Sequence, residues 1–127
     1  HQGATRQPEF VLANGATVVT DGTALATDTW LIRVDVFDDT GNTAGVYING
    51  VKVEEATGVS SSSPTATENF YIGGRSDGFY MTGQIADAVM CNTLSSTNRE
   101  KLEGYWAHRF GLTGLLDAGH PYKSVAP

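Results

Sequence analysis

The chain has 127 residues, enough for one domain around one hydrophobic core. Its net charge of −6 is unclustered, with eight acidic against three basic side chains in residues 1–60 and six against five in residues 61–127, which argues against a phosphate backbone as partner. One cysteine, Cys91, excludes an intrachain disulfide, no Cys and His spacing resembles a zinc site, and no apolar run approaches the about 20 residues of a membrane helix.

Taken in chain order, the sequence alternates like strands and turns on glycines. Residues 9–20, "EFVLANGATVVT", hold two apolar runs around Asn14-Gly15, a dipeptide that tolerates positive φ and so predicts a hairpin. Residues 29–39, "TWLIRVDVFDD", predict a half-buried strand with Trp30, Ile32, Val34 and Val36 on one face and Leu31, Arg33, Asp35 and Phe37 on the other. After the turn "DDTGN", residues 44–55 form a second hairpin in which Asn49-Gly50 divides Val46 and Ile48 from Val51 and Val53. Residues 58–67 are serine-rich and read as a surface loop, residues 68–78 as a short strand ending in a glycine turn, and residues 79–92 as a longer strand. Neither face of that last strand is consistently polar, so it wants cover on both sides.

The C-terminal stretch changes character. Thr97 and Glu100 fit a capping box with Leu94 upstream as a staple, and Leu102, Tyr105, Trp106 and Phe110 form a stripe that ends at Gly111. One α-helix at about 97–110 follows, placed as a lid on the sheet edge or face, and residues 111–127 form an extended tail. In "GHPY", Pro121 fixes the chain, Tyr122 packs and His120 donates a hydrogen bond. Trp106 and Tyr105 are assigned to helix-to-sheet packing.

The run "VYINGVKV", then "FYIGGRSDGFYMTGQIADAVMCNTLSSTNREKLEGYWAHRFGL", then "HPYKSVAP" resembles the C-terminal half of the laminin-G and pentraxin-like group of concanavalin A-like domains. The segment "LEGYWAHRFGL…HPY" is similar to one found in such domains of phage and bacterial surface proteins. The resemblance covers roughly residues 29–122 and implies an all-β, antiparallel jelly-roll sandwich over residues 1–127 with one short C-terminal helix. Domains of that group have more strands ahead of residue 9, so seven or eight strands make a lean sandwich whose open edge invites a neighbour. The start at His1 fits a processed product or the C-terminal part of a longer chain.

Chemistry is sparse. Related glucanases carry Glu-x-Asp-x-x-Glu on one strand, and this chain has no such string. Glu54 and Glu55 point to opposite faces of a strand, Glu100 and Glu103 read as solvated or capping charges on the helix, and His1, His108 and His120 have no nucleophile signature beside them. "IGGRSDG" lacks the Gly-Lys-Ser/Thr that cradles phosphate and reads as a turn. Two binding candidates stand against blander readings. Asp38, Asp39 and Asn42 offer oxygens that suit calcium but fall short of its usual coordination, so an Asx-rich hairpin turn weighs more. Arg75, Asp77 and Tyr80 could stack on a sugar ring and bind its hydroxyls, against a solvated turn followed by a core aromatic. The reading is a non-catalytic structural or adhesion module on a virion, cell surface or secreted protein, such as a phage decoration, fibre or tail-associated protein. It needs no cofactor, inserts in no membrane, and works through protein partners or copies of itself at a sheet edge. The alternative is a carbohydrate-binding module, with or without calcium.

Overall fold

A computed structural model of the chain describes residues 25–59, 71–74, 78, 80–92 and 94–127, together with the strand backbones of 9–11 and 17–20. Strands β1 (Glu9–Val11) and β2 (Thr17–Thr20) pair antiparallel, as the sequence predicts, with Phe10 opposite Val19; the Asn14-Gly15 turn lies outside the described residues. Strands β3 (Arg33–Asp38), β4 (Thr43–Ile48) and β5 (Val51–Thr57) form a three-stranded antiparallel sheet in the order β3-β4-β5. β2 lies against β4 and β5. Ala44 and Val46, both buried, form the centre of the sheet's core with Phe37, Ile48, Val53, Ala56 and Val59 around them.

Asn49-Gly50 is the two-residue turn between β4 and β5. Ile48 pairs with Val51 across it, and the left-handed φ of 53° at Asn49 and 87° at Gly50 are those of the turn whose twist matches a hairpin. A bulge follows where the register shifts between Val46 and Tyr47.

Helix α1 (Ser96–Phe110) is where the sequence places it, and Gly111 ends it with a φ of 70° while donating its N–H to the Ala107 carbonyl. Its start differs from the capping box. Ser95, extended at φ −69° and ψ 158°, is the N-cap and its hydroxyl accepts the Asn98 N–H at 3.2 Å. Thr97 therefore already sits inside the first turn, and Leu94 lines a groove rather than stapling Arg99. A short 3-10 helix η1 (Thr113–Leu115) follows, and Ile32, Ala107 and Leu116 make a second core with Trp106 and Leu112.

Three further expectations are corrected. β3 begins at Arg33, so Trp30 falls before the ladder and is half exposed. Residues 71–74 and 80–92 form no strand: a single bridge joins Gly74 to Tyr80, with left-handed Gly73 and Gly78 turning the chain around it. A strand exists only with a neighbour to bond, and among the described residues none runs beside 81–92. Of the jelly-roll sandwich that the resemblance implies, the described residues hold one two-stranded and one three-stranded antiparallel sheet with the helix, and not the full sandwich.

Gly50 gives the first test. A Cβ there would stand 2.6 Å from His120 Cδ2, whereas at Gly58, also left-handed, nothing lies within 4 Å. Gly58→Ala is expected to cost about 1 kcal/mol for the backbone conformation alone, and Gly50→Ala at least about 2 kcal/mol, by urea denaturation. Equal losses would mean that His120 does not press on the turn.

Candidate functional site

The densest polar chemistry lies where the tail crosses between α1 and the Asn49-Gly50 turn. Glu103 is 0% exposed, and its Oε2 accepts from Arg99 Nη1 at 2.5 Å, one helical turn back, and from His120 Nε2 at 3.3 Å. His120 Nδ1 accepts the Tyr122 N–H at 3.2 Å, so the neutral ring carries its proton on Nε2. The Arg99 guanidinium lies 4.0 Å above the Tyr47 ring of β4, which makes the same arginine an ion-pair and a cation–π partner. Glu103 Oε1 is buried with no partner among the described residues.

Small residues make this approach close enough. A Cβ on Gly104 would overlap the Tyr122 side chain, and Ala107 beside it is fully buried. His108 Nε2 donates to the Tyr122 carbonyl at 2.9 Å, and Lys123 Nζ donates to the Leu116 carbonyl, closing the end of η1. The turn is gripped from its other side as well. Asn49 donates its N–H to the Ile32 carbonyl at 2.8 Å and accepts the Ile32 N–H on Oδ1 at 2.9 Å, which extends the β3–β4 ladder by a side chain. That leaves the Asn49 carbonyl free to accept the Asp117 N–H at 3.2 Å. The expectation for "GHPY" holds: Tyr122 packs and His120 donates.

The helix face is not the expected one. Arg99, Glu103, Gly104 and Ala107 are its buried residues; Leu102 and Trp106 are half-buried, and Tyr105 and Phe110 are exposed. Glu103, read from sequence as a solvated or capping charge, is the most deeply buried charged group described. Its signal was available as an Arg and Glu four residues apart, flanked by a glycine and an alanine, which is a face too thin for bulky apolar contacts. Trp106 Nε1 donates to Asp87 Oδ2 at 3.3 Å, and Arg109 Nη1 reaches the same oxygen at 3.2 Å.

The predicted site residues separate. Asp38 Oδ1 accepts the N–H groups of Thr40 and Gly41, both at 3.0 Å, and the Asn42 carbonyl accepts the Val59 N–H at 3.0 Å with Asn42 in a left-handed conformation of φ 50°. The Asp38 oxygen is engaged in an Asx turn that closes β3 onto β4, and the Asn42 carbonyl holds the chain just beyond β5. Asp39 stands in the same turn, and among the described residues no cluster of three or more His, Cys, Asp or Glu is placed to hold a metal. Tyr80 is 79% exposed, against the core-facing alternative; Arg75 and Asp77 lie outside the described residues. Gly74-Arg75-Ser76-Asp77-Gly78 matches the letters of a serine nucleophile elbow, a pattern that requires a strand-to-helix turn. Here Gly74 is bridged to Tyr80, and the next described helix starts only at Ser96. At the surface, Lys52 donates to Glu55 Oε1 at 2.7 Å, and that bond raises its pKa. The small stabilisation of an exposed pair is present below the unfolded pKa and fades as pH rises through the folded one.

Comparison with known proteins fits this geometry. A family described as the concanavalin A-like lectin/glucanases superfamily matches residues 2–98, about three quarters of the chain, and the chain belongs to that family. Among solved structures, an S-layer domain-containing protein (residues 221–444) from Clostridium thermocellum is similar, at 27% identity and a TM-score of 0.52. The likeness covers 67% of this chain and 44% of that one, so the chain spans less than half of its neighbour. No curated protein matches.

Two outcomes check the site. Glu103→Ala leaves the buried Arg99 only its longer, partly exposed bond to Glu100 Oε1 at 3.3 Å and is expected to cost about 3 kcal/mol, whereas the pair Arg99→Met with Glu103→Leu should cost less than that single change; a double-mutant cycle by urea denaturation measures both. Asp38→Ala should lower stability by about 1 kcal/mol, as loss of a local side-chain cap does, without a change in calcium heat. Calorimetry that finds a calcium site abolished by the same change would make the turn a metal site.

Proposed function

We propose that the chain is a non-catalytic module displayed on a surface, acting through protein–protein contacts. One observation carries the reading: the charged side chains with the closest buried geometry, Arg99, Glu103 and His120, are consumed in bracing the fold, while large apolar side chains from Tyr80 to Met90 face outward. A catalytic centre needs the reverse, polar groups converging on an accessible pocket. The family hosts lectins and glucanases, so membership leaves that choice to the site. The similarity to a bacterial S-layer domain-containing protein supports a cell-surface or extracellular setting. The narrower assignment to a virion, as a decoration, fibre or tail-associated protein, rests on the resemblance of residues 102–122 to phage and bacterial surface domains. No described helix is long and apolar enough to cross a membrane.

A carbohydrate-binding role is the second reading, favoured by the exposed ring of Tyr80 next to the glycine turn at 73–78. A glycan array, repeated with a calcium chelator and with Tyr80→Ala, separates the two. The contact-module reading expects no glycan signal above background. A glycan bound by the wild type and lost in Tyr80→Ala would transfer the function to sugar recognition, and loss on chelation would add calcium as its cofactor.

A further inference from the structure

Asn49 is tied to two other parts of the chain, and a glycine follows it. Its N–H donates to the Ile32 carbonyl, its Oδ1 accepts the Ile32 N–H at 2.9 Å, and its carbonyl accepts the Asp117 N–H at 3.2 Å. Ile32 is itself buried and packs with Ala107 of α1 and Leu116 beyond η1, so the grip on the Asn49 carboxamide is anchored in the second core. From the other side of the turn the His120 ring presses on Gly50. Asn49 is only half-buried, so water reaches the turn.

An asparagine before a glycine carries a reaction within its own backbone. The glycine nitrogen, unshielded by a side chain, gives up its proton and bonds Asn Cγ, while the Cγ–Nδ2 bond breaks and Nδ2 leaves as ammonia with that proton. Water then opens the five-membered imide at either carbonyl, giving aspartate or an isoaspartate link that adds a methylene to the main chain. In this fold each motion that the ring closure needs is opposed. The carboxamide must leave Ile32 to present Cγ to the Gly50 nitrogen, which strands the N–H of a buried residue. Closing the ring also turns the 49–50 peptide out of the hairpin geometry, and that peptide is bonded to Asp117 at its carbonyl and pressed by His120 at its glycine.

We propose that Asn49 is a site of spontaneous conversion to aspartate and isoaspartate that the tail joint holds shut, and that conversion keeps the joint from closing again. In the folded protein the reaction waits on the fraction of time that the helix and tail stand away from the turn. Once formed, an isoaspartate lengthens a turn whose two residues are matched to the pairing of Ile48 with Val51, and it does so under a ring that leaves no room for even a Cβ on Gly50. The joint is thus a one-way timer that records its own openings.

Peptide mapping by mass spectrometry, with an isoaspartate methyltransferase to label the product, follows Asn49 separately from Asn14 in the folded chain at neutral pH and in the chain held in concentrated urea. Conversion at Asn49 should be at least about a hundredfold slower in the folded chain. Leu116→Ala, which loosens the second core around Ile32, should raise the folded-state rate at least about tenfold, and His120→Ala, which takes the ring off Gly50, should act in the same direction should Leu116→Ala not fold. Phe37→Leu removes packing at the far end of the hairpin, opposite Ala44, and should leave the rate within about twofold although it lowers global stability. In a urea series below the unfolding midpoint, the rate should climb less steeply than the m-value of global unfolding. The purified isoaspartate product should melt below the unconverted chain. Equal rates in the folded and urea-held chains would show that the fold does not hold the site shut. Equal acceleration by Leu116→Ala, His120→Ala and Phe37→Leu, with the full m-value, would make global unfolding the gate and overturn the role of the joint, and a product that melts with the unconverted chain would overturn the timer.

Discussion

Glu103 Oε2 is the atom on which three separately built parts of the chain converge. The helix brings Arg99 to it, the tail brings His120, and through these two it reaches the ring of Tyr47 on β4 and the turn at Gly50. Each part is poorly held by itself. A 15-residue helix that buries Gly104 and Ala107 has little apolar area to offer, and residues 117–123 belong to no helix or strand. The carboxylate replaces broad apolar contact with a few directed bonds.

Directed bonds set register as well as strength. An apolar tail on an apolar helix can slide, but Oε2 meets Arg99 and His120 together in one placement, and the His120 ring then lies over a turn where only glycine leaves it room. The arrangement is costly. Both ions are taken out of water, and Glu103 Oε1 has no partner among the described residues, so the Coulomb gain must offset two desolvations and one idle acceptor. The cation–π contact with Tyr47 and the bonds that His108 and Lys123 make to the tail spread that cost over the whole joint.

What could be read in the sequence was local. Asn49-Gly50, the antiparallel pairing of residues 9–11 with 17–20 and the helix stop at Gly111 are each dictated by backbone preferences within a few residues, and each is found. The alternation expected along β3 is not: its burial does not alternate, and Phe37, opposite Ala44 and assigned to the other face from Val34 and Val36, packs on the core. The misreadings needed information from far along the chain. Thr97 and Ser95 are equally good caps on paper, and the choice between them depends on how the preceding chain enters. The strand at 79–92 has the residues of a strand, yet no described neighbour to bond. Glu103 was misjudged because a carboxylate on a helix is ordinarily solvated, and its burial is decided by a histidine 17 residues away. The stripe from Leu102 to Phe110 was persuasive for the opposite reason: bulky side chains suggest the inward face, whereas the tail needed the small ones.

The division between family and joint has a structural consequence. The family match ends at residue 98, so the hairpin turn lies inside it while Arg99, Glu103, His120 and Tyr122 lie beyond. The helix and tail therefore act on the sheet as a brace at its β4–β5 end, bonded at Asn49 and pressed on Gly50, in addition to whatever the sheet shares with its relatives. A brace committed there is unavailable elsewhere. From Asp117 to Lys123 the tail is tied to the turn, to α1 and to the end of η1, and only Pro127 reaches the groove beside Val89. The same bonds thus hold residues 117–123 on the turn and the helix and keep them from folding over the apolar segment that follows Tyr80.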